Sequence, residues 1–304
     1  MTAPMFIGPE VEAKLDWLAL TEALAVGHDR PRAEVADVFL YRDADTLLSR
    51  SAWIDGLGLL VKTATVFPGN VAHGGSVIGG GAVNLFRDTD GGLEAMLDFF
   101  LVTKWKTAGD SLLGARRLAR TDSRDILIVG AGTVAASMRE AYGRLFPDAR
   151  FRVWNRTASR AEALAADWPD TEAVTDLEAA VGQADIVSCS TMSFAPVLEG
   201  EWLRPGTHVD LIGAYRPDMR EVDDTALKRA RIFVDSRDTV LGHIGELKIP
   251  LAEGVIAESD VVADFYDMGS GAFTRRSDDE ITLFKNGGGA HLDLMTAAYI
   301  RGQV

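Results

Sequence analysis

Residues 125–137, DILIVGAGTVAAS, constrain this chain more than any other stretch, because an apolar run leads straight into glycines and then into a helix-forming segment. The run 126–129 has the composition of a strand buried on both faces, as in a parallel sheet. Gly130 permits a tight turn, Gly132 leaves the backbone bare where a pyrophosphate must approach, and Ala135 is the third small residue, where helix and strand pack closely. Backbone N–H groups at the start of that helix, with Thr133 and Val134, would hold the phosphates at the positive end of the helix dipole. Glycine turns are common by themselves. Here a strand precedes, a helix follows and a second strand at 151–154 arrives at the expected distance, which together predict a dinucleotide-binding βαβ unit.

The end of that second strand bears on which dinucleotide is held. An NAD-preferring site places Asp or Glu about 20 residues past the glycines, to hydrogen-bond the ribose 2′-hydroxyl. This strand runs instead into Asn155, Arg156 and Thr157, with Arg160 a turn later. A carboxylate would repel a 2′-phosphate, whereas a guanidinium offers it bidentate hydrogen bonds. The residues favour NADP(H) over NAD(H); the alternative is that both arginines are simply solvated at a helix start.

At 304 residues and 47% hydrophobic, the chain has enough apolar material for two modest cores. No run approaches the roughly 18 apolar residues of a membrane span, and the N-terminus lacks the basic-then-apolar order of a signal peptide, so a cytoplasmic location is expected. The net charge of −14 argues against nucleic acid or an anionic membrane surface as partner, although a local pocket can still oppose that sign for a small anion. The five histidines show no metal-ligand spacing, and no metal is expected. Cys189, the single cysteine, lies in the apolar run IVSCS and reads as a buried structural thiol.

In chain order, a helix is expected over 11–27, followed by strand-like runs at 35–41, 51–54 and 57–67 and a glycine-rich segment of turns and a further strand. The pattern becomes helical from 93 to 119. Beyond it the order is doubly wound, with strands at 126–129, 151–154, 186–190, 207–212 and 232–234. Ligands of such a sheet sit at the carboxyl ends of its strands, here Gly130, Asn155, Ser190, Thr191, Met192 and Gly213. The tail reads as a glycine turn opening an apolar helix.

Several segments together resemble the ornithine cyclodeaminase and mu-crystallin family: VKTATVFPGN at 61–70, the helix with Thr103 and Thr107-Ala108, the GAGTVA turn, GAYRPDMREVD at 213–223, VDS at 234–236 and ITLFKNGGGAHLDL at 281–294. They run in family order over nearly the whole chain. The resemblance implies an α/β fold in which a Rossmann-type doubly wound parallel sheet (120–286) is inserted into a smaller α+β substrate-binding and dimerisation domain (1–119, completed by about 287–304). It also implies a homodimer, and a small amino or imino acid whose carboxylate is held by cations beside a nicotinamide. Lys62 matches the family's active-site lysine, Asp293 an aspartate at the start of the closing helix, Asn70 the asparagine of a PxN turn, and Arg32, loosely, a carboxylate-binding arginine. A solvent-facing strand lysine, a helix cap and a turn residue are the plain readings of the first three.

Two departures bear on the chemistry. Where the family has T-x-x-R-T-A, this chain has Lys106 before Thr107, which keeps the charge but loses the planar fork. Where true ornithine cyclodeaminases carry an aspartate base, this chain has Tyr215, whose reference pKa near 10 makes it a poor base at neutral pH. A reductase acting on a pre-formed imine needs no such base. The expectation is therefore NADPH-dependent reduction of a small cyclic or linear ketimine, of pyrroline- or piperideine-2-carboxylate type, with Lys62 and Lys106 pairing with the carboxylate and Lys62 supplying a proton. Ornithine cyclodeamination, non-catalytic binding of NADPH and a small ligand, and a dehydrogenase joining an oxo acid and an amine are the alternatives.

Overall fold

The computed structural model describes residues 3–304. The chain divides into two compact units, one made of Met1–Lys106 with Gly288–Val304 and the other of Thr107–Gly287.

The first unit opens with strand β1 (Met5–Ile7), a 3-10 turn at Pro9–Lys14 and helix α1 (Trp17–His28). The single helix expected over 11–27 is thus broken. Asp16 explains the break, since it is extended and its carboxylate accepts the backbone N–H groups of Leu18 and Ala19, capping a new helix. Strands β2 (Glu34–Arg42), β3 (Asp45–Ile54) and β4 (Gly58–Val66) follow as an antiparallel meander. β3 starts earlier than the run 51–54 indicates, because Asp43, at φ 52°, makes a two-residue turn that lets β3 pair with the whole of β2. Strand β5 (Ile78–Phe86) continues the meander.

Next comes β6 (Leu93–Leu97), where the sequence pattern suggests the start of a helix. Its residues pair with β5 on one side and β1 on the other, giving a six-stranded sheet in the order β1-β6-β5-β4-β3-β2. Helix α2 (Phe99–Leu118) begins only after Asp98, whose carboxylate accepts the Leu101 N–H. The division between units falls within α2, between Lys106 and Thr107, and not after it at 119.

The second unit alternates strand and helix: β7 (Asp125–Val129), α3 (Thr133–Leu145), β8 (Arg150–Trp154), α4 (Ala158–Ala165), β9 (Thr171–Val174), α5 (Leu177–Gln183), β10 (Ile186–Cys189), β11 (His208–Leu211), α6 (Asp224–Arg229), β12 (Arg231–Val234), α7 (Arg237–Val240), α8 (Gly245–Ala252), β13 (Val261–Ala263) and β14 (Thr282–Lys285). All eight strands are parallel, in the order β13-β12-β14-β11-β10-β7-β8-β9. Order reverses between β7 and β10, the switch point where a doubly wound sheet opens a crevice. β14, which the sequence pattern attaches to the tail, lies between β11 and β12. Its four residues are all buried, so it is a core strand with no polar alternation to mark it. Cys189 is fully buried in β10, and burial pushes its thiol far up.

The chain returns to the first unit with helix α9 (Ala290–Arg301), which packs against β2–β5 and α1. The Tyr299 hydroxyl accepts the Asp16 N–H at 2.9 Å and donates to the Asp16 carbonyl at 3.1 Å, tying α9 to the start of α1.

Candidate active site

Strand period places Lys62 on the buried face of β4, in line with Leu60 and Ala64. A lysine there needs a partner. Asp293, in the first turn of α9, supplies it, with the ammonium 2.7 Å from its carboxylate. The register sets Arg50 of β3 directly opposite Lys62, and Asp37 of β2 opposite Arg50. Facing like charges destabilise a sheet unless an anion sits between them. Asp293 does so, with Arg50 at 3.5 Å, while Asp37 grips the other edge of the same guanidinium at 2.6 Å.

Gly288, at φ 69°, turns the chain into α9 and aims its carbonyl at the cluster. It accepts from Arg50 at 2.7 Å and from Lys106 at 3.4 Å. Lys106 is buried near the midpoint of α2 and has no ion pair among the described residues. Lys62 and Arg50 therefore pair with one fully buried carboxylate while Lys106 acts on it only through its field, and Asp293 Oδ2 accepts no hydrogen bond among the described residues. Burial pushes the Lys62 ammonium down to about 8, with Lys106 and Arg50 adding to the shift and Asp293 opposing it. Burial alone would raise Asp293, but Lys62, Lys106 and Arg50 hold it below the usual carboxylate range. The Lys62 ammonium also lies 5.0 Å from the centre of the Phe99 ring.

This cluster brings together Lys62, Lys106 and Asp293. Arg50, which the sequence reading omits, is the arginine beside Asp293; Arg32 is exposed before β2. The signal for Arg50 lay in the register, which no single strand displays. Asn70 donates to the Ser76 carbonyl at 3.1 Å and fixes the turn after Pro68. Thr107 belongs to the second unit, where its carbonyl accepts from Asn286. His291 and His28 are buried, and burial pushes both imidazoles down, His28 to about 4.

In the second unit the crevice residues suit a dinucleotide. Gly130 takes φ 116°, and a Cβ there would stand 2.9 Å from the Ser190 carbonyl. Gly132 caps α3 with open space where its Cβ would be and no side-chain capping bond, so the first helical N–H groups, of Thr133 and Val134, have no side-chain cap. Ser190 Oγ is buried without a hydrogen-bond partner among the described residues. Asn155 bonds the Thr157 carbonyl, and Arg156 and Arg160 are exposed with no ion pair among the described residues. Thr191 and Gly213 share a buried partner, Glu221, and Met192 and Tyr215 are exposed at the strand ends. Among the described residues no group of three or more His, Cys, Asp or Glu side chains is placed to hold a metal, and no helix is long and apolar enough to cross a membrane.

The sequence pattern of the Ornithine cyclodeaminase/mu-crystallin family matches residues 54–304. The chain belongs to this family. It is 54% identical over 306 residues to the Delta(1)-pyrroline-2-carboxylate reductase of Paracoccus denitrificans, covering 98% of this chain and 96% of that one. The ketimine reductase mu-crystallin of Rattus norvegicus is 34% identical over 220 residues, covering 72% and 68%. The same fold is seen in the Thermococcus litoralis Delta(1)-pyrroline-2-carboxylate reductase solved with NADH and L-proline, at a TM-score of 0.90, 24% identity and coverage of 98% and 97%.

Replacing Asp293 by asparagine leaves the facing cations without their anion, and is expected to cost roughly 3 kcal/mol of unfolding free energy. Adding Lys62→Met to that variant removes one of the stranded cations and should recover part of the loss. Urea denaturation of the single and double variants checks this, and an Asp293→Asn protein as stable as the parent would contradict the account.

Proposed function

We infer that this protein is an NAD(P)H-dependent imine reductase whose substrate is a small ketimine carboxylate of the Δ1-pyrroline-2-carboxylate type. The observation that carries the reading is the excess of cations in the Lys62 cluster, where buried Lys62 and Lys106 and half-buried Arg50 face two carboxylates, Asp293 and Asp37. Such a site lacks an anion, and a substrate carboxylate provides one. The relative at 54% identity acts on a substrate of this kind by its name.

Lys106 uses one donor on the Gly288 carbonyl, which leaves two for the substrate carboxylate. Arg50 is committed to Asp37, Gly288 and Asp293, and so serves to orient the cluster. Lys62, held against Asp293, carries a proton that it can surrender near neutral pH and is the donor to the imine nitrogen. The Phe99 ring covers one side of that ammonium and keeps water from it. When bound, the reduced nicotinamide supplies the hydride that, with this proton, turns the imine into an amino acid. Gly130, Gly132 and the start of α3 would hold its diphosphate. Tyr215 brings no carboxylate to the end of β11, which disfavours deamination of an amine such as ornithine.

NADP(H) is the proposed partner because Arg156 and Arg160 stand exposed after β8 with no carboxylate competing for them among the described residues. The proposed assembly is a homodimer formed on β2. All nine of its residues are exposed at the sheet edge, Val38, Phe39, Leu40 and Tyr41 among them, an apolar surface that a second copy would cover.

Mixing the protein with NADPH and Δ1-pyrroline-2-carboxylate should consume NADPH and form proline, with no ammonia released from ornithine. Because the protonated Lys62 is the active form, kcat should be full below about 8 and fall as pH rises through that value. Lys62→Met should abolish turnover and this pH limb together, and a Lys62→Met protein with the parent's profile would refute the role. Removing Arg156 as Ala should raise KM for NADPH by about tenfold while leaving KM for NADH nearly unchanged; equal effects on both would rule out a 2′-phosphate contact.

A further inference from the structure

Glu221 is fully buried, and both carboxylate oxygens serve as acceptors. Oε1 accepts the Thr191 N–H at 2.7 Å and its hydroxyl at 2.9 Å, just past β10. Oε2 accepts the N–H groups of Gly213 at 2.7 Å and Ala214 at 3.2 Å, just past β11. The backbone carbonyl of the same residue accepts from Val197 at 2.8 Å and Leu198 at 3.0 Å. One residue thus pins both ends of the loop between Thr191 and Val197 and joins it to the end of the next strand. Glu246 secures Glu221 from below, accepting its N–H at 2.8 Å and that of Val222 at 3.1 Å. The fit is close: a Cβ on Gly213 would lie 1.7 Å from the Thr191 carbonyl oxygen and 2.6 Å from Glu221 Oε1.

These are the strand ends on the β10 side of the switch point, and Arg156 lies on the β8 side. A dinucleotide laid across such a crevice places its adenosine half toward β8 and its nicotinamide half toward β10 and β11. We propose that Glu221 is the positioning residue of the nicotinamide half-site, its carboxylate fixing the two strand-end loops against which that half of the cofactor lies. This rests on the crevice holding NAD(P)H, as inferred above. Glu221 also occupies three backbone N–H groups that would otherwise form a second anion cradle, and so leaves the start of α3 as the place for the diphosphate.

The substitution Glu221→Gln keeps the shape but turns an NH2 group toward N–H donors on one side of the clamp. The test is binding by the full chain, without turnover. NADPH and NADH are titrated by the emission of the reduced nicotinamide, and 2′-phospho-ADP-ribose and ADP-ribose, which lack that ring, by calorimetry. The variant should bind the dinucleotides about tenfold more weakly and lose the shift in nicotinamide emission, while both ring-less ligands stay within about twofold of the parent. Equal weakening of all four ligands would show a general structural role and overturn the proposal, as would no weakening at all. Should Glu221→Gln not fold, Thr191→Val keeps the carboxylate and removes one donor; it should shift dinucleotide binding alone by about threefold, and unchanged dinucleotide binding in it would overturn the proposal. A parent protein that binds neither dinucleotide would refute the inferred function, and this proposal with it.

Discussion

Two cations face each other across neighbouring strands, and one carboxylate makes that arrangement tolerable. Like charges directly opposite one another in a sheet are destabilising, so Arg50 opposite Lys62 would weaken the sheet of the first unit without Asp293. That requirement explains several features together. It places α9 against β3 and β4, puts an acidic residue in the first turn of that helix and draws the Gly288 carbonyl toward Arg50 and Lys106. The same arrangement leaves the cluster one anion short, with Lys62, Lys106 and Arg50 against Asp293 and Asp37, and that shortage is what the proposed binding of a substrate carboxylate rests on.

The second unit solves a different problem by where it places its charges. Its crevice must accept a polyanion in a chain of net charge −14. It offers uncapped backbone N–H groups at the start of α3 and exposed Arg156 and Arg160, while Glu221 and Glu246 stay buried on backbone donors. Burial and the neighbouring Glu221 push Glu246 up from the usual carboxylate range. Buried acids thus shape loops here, and the open N–H groups remain for a ligand.

The nucleotide half was legible in the sequence because its signals are local. Strand, glycines and helix occupy consecutive residues, and the turn at Gly130 and the bare backbone at Gly132 both have the geometry that their spacing predicts. Lys62, Lys106 and Asp293 were found only through family resemblance, since the three are far apart in sequence and each has a plain reading. Arg50 escaped because register is a property of two strands and not of one. β6 and β14 are not legible as strands for a related reason. A short, fully buried strand such as Thr282–Lys285 lacks alternation, and Leu93–Leu97 runs directly into a helix whose start is set by the single carboxylate of Asp98.

The most direct test of the cation excess is the affinity of pyrrole-2-carboxylate, a planar and unreactive relative of the cyclic imino acid, for the protein with NADPH present, in the parent and in Lys106→Met. The account predicts that the parent binds it, that pyrrole without the carboxylate binds far more weakly, and that Lys106→Met loses about tenfold in affinity. Equal binding of pyrrole and its carboxylate, or a Lys106→Met protein that binds as well as the parent, would contradict it.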